Sequence, residues 1–252
     1  MYIVAMSQRK PPQEQIDYIL NLFKSNQIQQ ALDFIDTLSK DYPDKSLLFN
    51  IRGAGYAGLG QLDIAVQNYE KALSIKPDYA KAHYNLGGAL QELDKLHDSA
   101  KSYENAIALE PENAKAHNNL AIVLRELNQI EEAEVSCRKA IVLDPEYAEA
   151  HSCLSIILYA NGDLNSALKS IEKAYSINPK LKIIKLLLAV LKARRTHKTS
   201  KVSINNISNS DCNIRSISNP LILNRAVEQE LITKLYEVKS LELNKTKDPS
   251  YG

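Results

Sequence analysis

Three histidines at a constant spacing are the first residues of this sequence that could do chemistry. They are His83, His117 and His151, and the two intervals between them are equal in length. Imidazole nitrogens are common zinc ligands, but a zinc ion needs all its ligands within about 2.0–2.1 Å. Residues on successive copies of a helical unit lie much further apart, because packed helix axes alone are about 8–10 Å apart. The spacing therefore argues against a shared metal ion and predicts half-buried packing residues.

A glycine motif also suggests chemistry, that of a nucleotide-binding loop. The stretch "GAGYAG" at residues 53–58 matches the pattern Gly-x-Gly-x-x-Gly. Such a loop needs a strand before it and a helix N-terminus after it. Here the helix-breaking turn comes only at Gly60, so the glycines fall inside a predicted helix and are interpreted as packing residues. Nowhere does the sequence show a nucleophile, an acid–base pair or a phosphate loop. It therefore predicts a chain that is not an enzyme and that holds no metal and no cofactor.

Evenly spaced prolines divide most of the chain into units of about 34 residues. They are Pro43, Pro77, Pro111, Pro145 and Pro179. A repeat of fixed length indicates one supersecondary unit that is copied and stacked, which is the pattern of a solenoid. The predicted units are residues 12–45, 46–79, 80–113, 114–147 and 148–181.

Two more sets of equivalent positions show what each unit contains. One set holds only small residues, which predicts that two helix backbones lie in close contact: Ala31, Ala65, Ser99, Ala133 and Ala167. The other holds only residue types that tolerate a left-handed backbone: Asn26, Gly60, Asp94, Asn128 and Gly162. A left-handed residue ends one helix and the proline ends the next. Each unit is therefore predicted to be a helix, a tight turn and a second helix.

This pattern resembles the tetratricopeptide repeat (TPR) family, most clearly at residues 80–111 and 114–145. The resemblance covers residues 12 to 181, and the first unit departs most from the family pattern. It implies an all-α, right-handed superhelical solenoid of about five helix-turn-helix repeats with a C-terminal capping helix. In such a solenoid the first helix of each pair lines an inner, concave wall.

Helical phase identifies the residues expected on that concave wall. They are Asn50, Lys81, Tyr84, Asn85, Gln91, Lys115, Asn118, Asn119, Arg125, Ser152 and Tyr159. These residues are predicted to contact a protein partner, as an extended peptide or a partner helix held along the groove.

Asn85 and Asn119 occupy equivalent positions in adjacent units. They resemble the amides of the repeats of O-linked N-acetylglucosamine transferases, which implies contact with a peptide backbone. The series is short, because Ile51 and Cys153 stand at this position in the units on either side. The alternative is that the asparagines only bond neighbouring helices or loops. The peptide hypothesis rests mainly on Asn85, Asn119, Tyr84, Asn118 and Arg125.

Charge and cysteine content restrict the other functional classes. The net charge is +1, but residues 1–181 carry 18 basic and 24 acidic side chains, whereas residues 182–252 carry 13 and 6. Three cysteines without paired spacing predict no disulfide framework. The N-terminal apolar run is too short for a signal sequence, and the longest one, residues 183–191, is too short to span a membrane. These features predict a cytoplasmic protein with no membrane span, and they favour no particular oligomeric state.

After the last unit, residues 182–196 are predicted to form a helix that caps the solenoid. Its apolar stripe is Leu181, Ile184, Leu187, Leu188 and Leu191. The cations of residues 182–201 are assigned to a solvated face. Binding of nucleic acid or anionic lipid is the weaker alternative, because no aromatic residues for base stacking lie among the cations.

Beyond this helix, residues 197–219 are rich in Ser and Asn and are predicted to be a linker. Residues 220–225 are predicted to form a short strand and residues 226–243 an amphipathic helix. The segment 220–252 loosely resembles the start of 2-oxoglutarate/iron(II) oxygenase-type enzymes fused to TPR units, although the iron-binding His-x-Asp and distal His are absent. The alternative hypothesis is therefore the targeting arm of a longer enzyme, such as an oxygenase, glycosyltransferase or sulfotransferase.

Overall fold

The computed structural model describes residues 11–197, and every regular element within that range is an α-helix. The helices are α1 (Gln13–Lys24), α2 (Ile28–Asp41), α3 (Ser46–Gly58), α4 (Leu62–Ile75), α5 (Ala80–Glu92), α6 (Leu96–Leu109), α7 (Ala114–Glu126), α8 (Ile130–Leu143), α9 (Ala148–Ala160), α10 (Leu164–Ile177) and α11 (Lys182–His197). The chain divides into two units after Pro179, so that α1–α10 belong to the first unit and α11 to the second.

The turn inside each helix pair has the same backbone conformation in all five pairs. A positive φ of 59–80° occurs at each of the predicted left-handed positions: Asn26, Gly60, Asp94, Asn128 and Gly162. The following N–H then donates back into the helix, as from Gln61 to the Tyr56 carbonyl at 2.9 Å and from Gln129 to the Leu124 carbonyl at 2.8 Å. This is the hydrogen bond of a Schellman motif, which satisfies a carbonyl at the helix end. The prediction of a left-handed turn is confirmed.

The two helices of a pair touch at their small residues, also as predicted. All five residues of the Ala/Ser position have no exposed surface. The Ser99 hydroxyl donates to the Gly87 carbonyl at 2.7 Å, which joins α6 to α5. A Cβ atom on Gly53 would lie 2.6 Å from a ring carbon of Tyr69. Gly53 and Gly55 are buried within α3, which confirms the interpretation as packing residues for these two, whereas Gly58 at the end of α3 is exposed.

Stacking of the pairs produces the solenoid. Each second helix packs on its own first helix, and α2, α4, α6 and α8 also pack on the first helix of the next pair. The first helices α3, α5, α7 and α9 contact one another in order. First helices are therefore enclosed on more sides than second helices. In α7 even His117 and Asn118 are buried, whereas α8 buries only Ala133, Cys137 and Ala140. We call the surface shared by α3, α5, α7 and α9 the inner wall. The prediction of an all-α repeat solenoid is confirmed.

Helix α11 confirms the predicted helix after the last repeat. Its capping role and the proposed domain division remain predictions. The predicted linker, strand and amphipathic helix of residues 198–252 lie outside the described residues.

Candidate functional site

The three repeated histidines hold the loops between units. In each case Nε2 lies 3.0 Å from the carbonyl oxygen of the proline six residues earlier: Pro77, Pro111 or Pro145. A carbonyl can only accept a hydrogen bond, so Nε2 carries the proton. Each histidine thus connects the start of a first helix to the loop before it, which agrees with the predicted packing role.

Between residues 11 and 197, no three His, Cys, Asp or Glu side chains are grouped closely enough to hold a metal ion.

Cys137 and Cys153 are free thiols, and both are buried. The Cys137 thiol donates to the Ala150 carbonyl at 3.1 Å, across the contact between α8 and α9. The neighbouring Cys153 thiol and burial raise the pKa of Cys137. Because the thiolate is the nucleophilic form, a protonated buried thiol is inert. Cys137 therefore packs between α8 and α9.

On the inner wall, side-chain amides form hydrogen bonds from one repeat to the next. Asn85 Nδ2 donates to Asn50 Oδ1 at 3.0 Å, which joins α5 to α3. Asn119 Nδ2 donates to Tyr84 Oη at 3.0 Å, which joins α7 to α5. We call these four residues the wall ladder. The structure thus shows the bonds between neighbouring helices that the sequence left as the alternative for Asn85 and Asn119. Asn85 Nδ2 keeps a second N–H beyond its bond to Asn50.

The ring of Tyr103 packs against Tyr84 of the wall ladder. Tyr84 and Tyr103 form an edge-to-face pair with ring centroids 5.7 Å apart. Asn119 Nδ2 also lies 3.4 Å from Tyr103 Oη. Burial raises the pKa of both Tyr84 and Tyr103. Both phenols are therefore neutral at physiological pH and can donate as well as accept hydrogen bonds.

Several buried polar atoms on α5 and α7 lack a hydrogen-bond partner, and those of Asn118, Gln91 and Arg125 are considered together. These three atoms are Asn118 Oδ1, Gln91 Oε1 and Arg125 Nε, which we call the unpaired wall atoms. Asn118 is 3% and Gln91 7% exposed, and the Arg125 side chain is 12% exposed. Leaving a buried polar atom unpaired costs about 1–3 kcal/mol. A ligand that supplies two donors and one acceptor here would remove that cost.

The same three side chains are oriented by bonds through their other atoms. Asn118 Nδ2 donates to Asn119 Oδ1 at 3.4 Å. Gln91 Nε2 donates to Glu126 Oε2 at 3.4 Å, and an Arg125 Nη lies 3.7 Å from the other Glu126 oxygen. Glu126 was not among the predicted wall residues. The signal that could have identified it is Glu92, which occupies the equivalent position one unit earlier.

The remaining residues predicted for the inner wall are Lys81, Lys115, Ser152 and Tyr159. Lys81 and Lys115 are exposed in the first turns of α5 and α7. Ser152 is buried and Tyr159 half-buried, both on α9. The structure thus brings Asn50 and Asn85 together in one contact, and Tyr84, Asn118 and Asn119 in another.

The fold and the wall define a helical-repeat scaffold for protein–protein interaction. Family models for the TPR and tetratricopeptide repeat match residues 55–94, 80–113, 114–147 and 148–181. Together they cover residues 55–181 without a gap, about half of the chain. The chain belongs to the tetratricopeptide repeat family.

Curated relatives match over a short stretch. The peroxisomal targeting signal receptor of Candida albicans is 36% identical over 67 residues, which is 26% of this chain and 11% of the receptor. The receptor of Kluyveromyces lactis is 29% identical over 75 residues, 30% of this chain and 13% of the receptor. The chain thus spans about an eighth of the length of these relatives.

Solved structures of other TPR proteins share the fold. PilW, a widely conserved type IV pilus biogenesis factor, superposes with a TM-score of 0.67 at 24% identity over 73% of this chain and 87% of PilW. MamA from Desulfovibrio magneticus RS-1 gives 0.61 at 20% identity over 68% and 96%. YrrB, a TPR protein with an unusual peptide-binding site, gives 0.57 at 20% identity over 68% and 88%. At these identities the likeness concerns the fold alone.

None of the helices between residues 11 and 197 combines the length and the hydropathy needed to cross a bilayer.

Proposed function

We propose that the inner wall binds an extended peptide segment of a partner protein and that the chain acts as a non-enzymatic scaffold. The observation that carries this proposal is the set of unpaired wall atoms. An extended peptide presents both N–H donors and C=O acceptors along its backbone. Once the side chains turn these buried atoms outward, it can donate to Asn118 Oδ1 and Gln91 Oε1 and accept from Arg125 Nε. Side chains of the peptide need not take part in these bonds.

In this proposal the other wall residues have supporting roles. The wall ladder fixes the orientation of Asn85, whose second N–H contacts the peptide, and of Asn119, which donates to both Tyr84 and Tyr103. Lys81 and Lys115 are exposed, so they favour acidic side chains at the edge of the peptide. Ser152 and Tyr159 extend the contact onto α9. A peptide as the type of ligand agrees with YrrB, a TPR protein of the same fold with a peptide-binding site, and with the targeting signal receptors, which match a short span of this chain.

The test begins with a peptide selected from a displayed random library by the full-length chain. Its Kd is measured by calorimetry for the wild type and for Asn118→Ala and Gln91→Ala. Loss of one bond to a neutral buried partner costs about 0.5–1.5 kcal/mol, so each variant is expected to bind about 2–13-fold more weakly.

Asn105→Ala is the matched control, because Asn105 is exposed on the second helix α6. It should leave the Kd unchanged. An unchanged Kd in both Asn118→Ala and Gln91→Ala, with thermal midpoints near the wild type, would exclude the inner wall as the peptide site.

Two further variants separate direct contact with the ligand from support of the inner wall. Arg125→Ala should weaken peptide binding, because it removes the donor of the unpaired wall atoms. Asn85→Ala breaks a bond between α5 and α3. Compared with Arg125→Ala, it should therefore lower the thermal midpoint more and raise the Kd less. The reverse ranking would mean that Asn85, and not Arg125, makes the stronger contact with the peptide.

A further inference from the structure

Cys137 and Cys153 occupy two positions that meet across the contact between consecutive units. In sequence register they correspond to Tyr103 and Asn119, because each follows its counterpart by one repeat length. Asn119 Nδ2 lies 3.4 Å from Tyr103 Oη, so these positions bring side chains together between a second helix and the next first helix. One unit further along the chain, both positions hold a thiol.

The two thiols contact each other between α8 and α9. A side-chain hydrogen bond joins Cys137 to Cys153. The Cys137 Sγ lies 3.1 Å from the carbonyl oxygen of Ala150, which precedes Cys153 by one turn of α9. Because a cysteine side chain is short, these contacts bring the backbones of α8 and α9 close together at this point. A disulfide requires such an approach, with Cα atoms about 4.4–6.8 Å apart.

Their surroundings give the two thiols different reactivities. The hydrogen bond from Cys137 lowers the pKa of Cys153, an effect that burial opposes and the Arg125 guanidinium reinforces. The bond to Cys153, together with burial, raises the pKa of Cys137. Because the thiolate is the form that reacts with oxidants, Cys153 is the more reactive of the pair. Cys153 is also 6% exposed, whereas Cys137 has no exposed surface, so a small oxidant reaches Cys153 first.

We propose that Cys137 and Cys153 form a reversible disulfide that joins α8 to α9 when hydrogen peroxide oxidises the chain. The Cys153 sulfur attacks one peroxide oxygen and becomes a sulfenic acid, and the other oxygen leaves as water. Cys137 then attacks the sulfenic sulfur, so that the S–S bond forms and the hydroxyl group leaves as a second water with the Cys137 proton. The two thiols are thereby oxidised by two electrons and the peroxide is reduced to two waters. A reduced dithiol reverses the reaction by thiol–disulfide exchange.

The pair is recognisable only from the folded chain. In the sequence the cysteines have no paired spacing, which is why no disulfide framework is predicted. The repeat register brings together two residues that belong to different units. The disulfide would therefore hold the fourth unit to the fifth, and nothing in its formation requires a bound peptide.

Intact-mass spectrometry of the full-length chain tests the proposal, with Cys212→Ser introduced so that only these two thiols remain. Dilute hydrogen peroxide should lower the mass of the folded chain by two hydrogen atoms. A tryptic digest should then contain the Cys137 peptide linked to the Cys153 peptide, and dithiothreitol should restore the original mass. Two intact thiols after peroxide treatment would overturn the proposal, as would disulfides found only between separate chains.

Single variants in the same Cys212→Ser chain distinguish the roles of the two thiols. In Cys137→Ser the Cys153 sulfenic acid has no thiol to react with, so the sulfenic-acid reagent dimedone should trap it. In Cys153→Ser the remaining Cys137 thiol should stay reduced. Trapping at Cys137 but not at Cys153 would overturn the assigned order of the two steps.

Ser136→Cys with Cys137→Ala is the matched control, because it keeps the number of thiols and moves one of them a single position along α8. Circular dichroism establishes that this variant remains folded. It should form no disulfide within the chain, since the displaced thiol no longer points at α9. An equal yield of the internal disulfide in this control would overturn the proposal, because the contact between Cys137 and Cys153 would then not matter.

Discussion

Gly53 sets the distance between the two helices of its pair. A Cβ atom there would lie 2.6 Å from the Tyr69 ring and 3.1 Å from the Ala65 carbonyl oxygen. Tyr69 is itself only 3% exposed, so its ring has little room to move. Overpacking of this kind typically costs about 1–3 kcal/mol. The higher helix propensity of alanine offsets up to about 1 kcal/mol of this cost. We therefore expect Gly53→Ala to lower the free energy of unfolding by up to about 2 kcal/mol in a urea titration followed by circular dichroism.

Gly88→Ala is the control for this prediction. A Cβ on Gly88 would meet only the Tyr103 hydroxyl, at an ordinary 3.5 Å. Alanine has a higher helix propensity than glycine, so this variant should gain up to about 1 kcal/mol. If both substitutions were equally neutral, the α3–α4 contact would have to be looser than the structure shows.

Buried tyrosines predict a loss of stability in alkaline solution. Burial, and to a lesser extent the charge of Glu92, raises the pKa of Tyr69. In the unfolded chain a tyrosine titrates near pH 10. Between that pH and the higher folded pKa, the unfolded state has lost a proton that the folded state keeps, so stability falls as pH rises. Urea titrations at pH 8 and pH 11 should show a smaller loss for Tyr69→Phe than for the wild type. Tyr18→Phe, at a side chain 50% exposed, should lose as much as the wild type.

At the scale of the element, the turn between α7 and α8 depends on one residue. Asn128 has a φ of 62°, a conformation that costs an ordinary L-residue about 1–2 kcal/mol. We expect Asn128→Val to lower the free energy of unfolding by about this much and Asn128→Gly to retain the wild-type value. Asn105→Val is the control, because Asn and Val have similar propensities within a helix. Equal effects of the two valine substitutions would mean that the left-handed turn contributes nothing.

The helix pairs were predictable because their requirements recur once in every unit. Gly60 and Asn128 share a tolerance of positive φ that any one position alone would not have revealed. The wall ladder was not predictable in the same way. Helical periodicity places Asn119 on the inner wall. It does not tell whether the Asn119 amide bonds Tyr84 on the neighbouring first helix α5 or faces a ligand. The unpaired oxygen of Asn118 depends on the same side-chain orientations, so only coordinates reveal it.

At the scale of the whole molecule, contacts within α1–α10 run mainly between neighbours. Each of these helices packs on the helices adjacent to it in sequence, and the first helices α3, α5, α7 and α9 also contact one another in order. A solenoid of this kind has a stability that is roughly the sum of its units and their interfaces. The ends of a unit are also interchangeable, because residues 114 and 148 are equivalent alanines.

Deletion of residues 114–147 should therefore leave a folded protein in which α6 packs on α9 as it now packs on α7. Helicity per residue should stay near the wild-type value, and the urea m-value should fall because less surface is exposed on unfolding. Deletion of residues 114–130 removes α7 and its turn, so that one second helix follows another and the small residues no longer face each other. This shorter deletion should lose most of its helicity or aggregate, as judged by circular dichroism and gel filtration. If the half-unit deletion were the better folded of the two, nearest-neighbour packing of whole repeat units would not be what holds the molecule together.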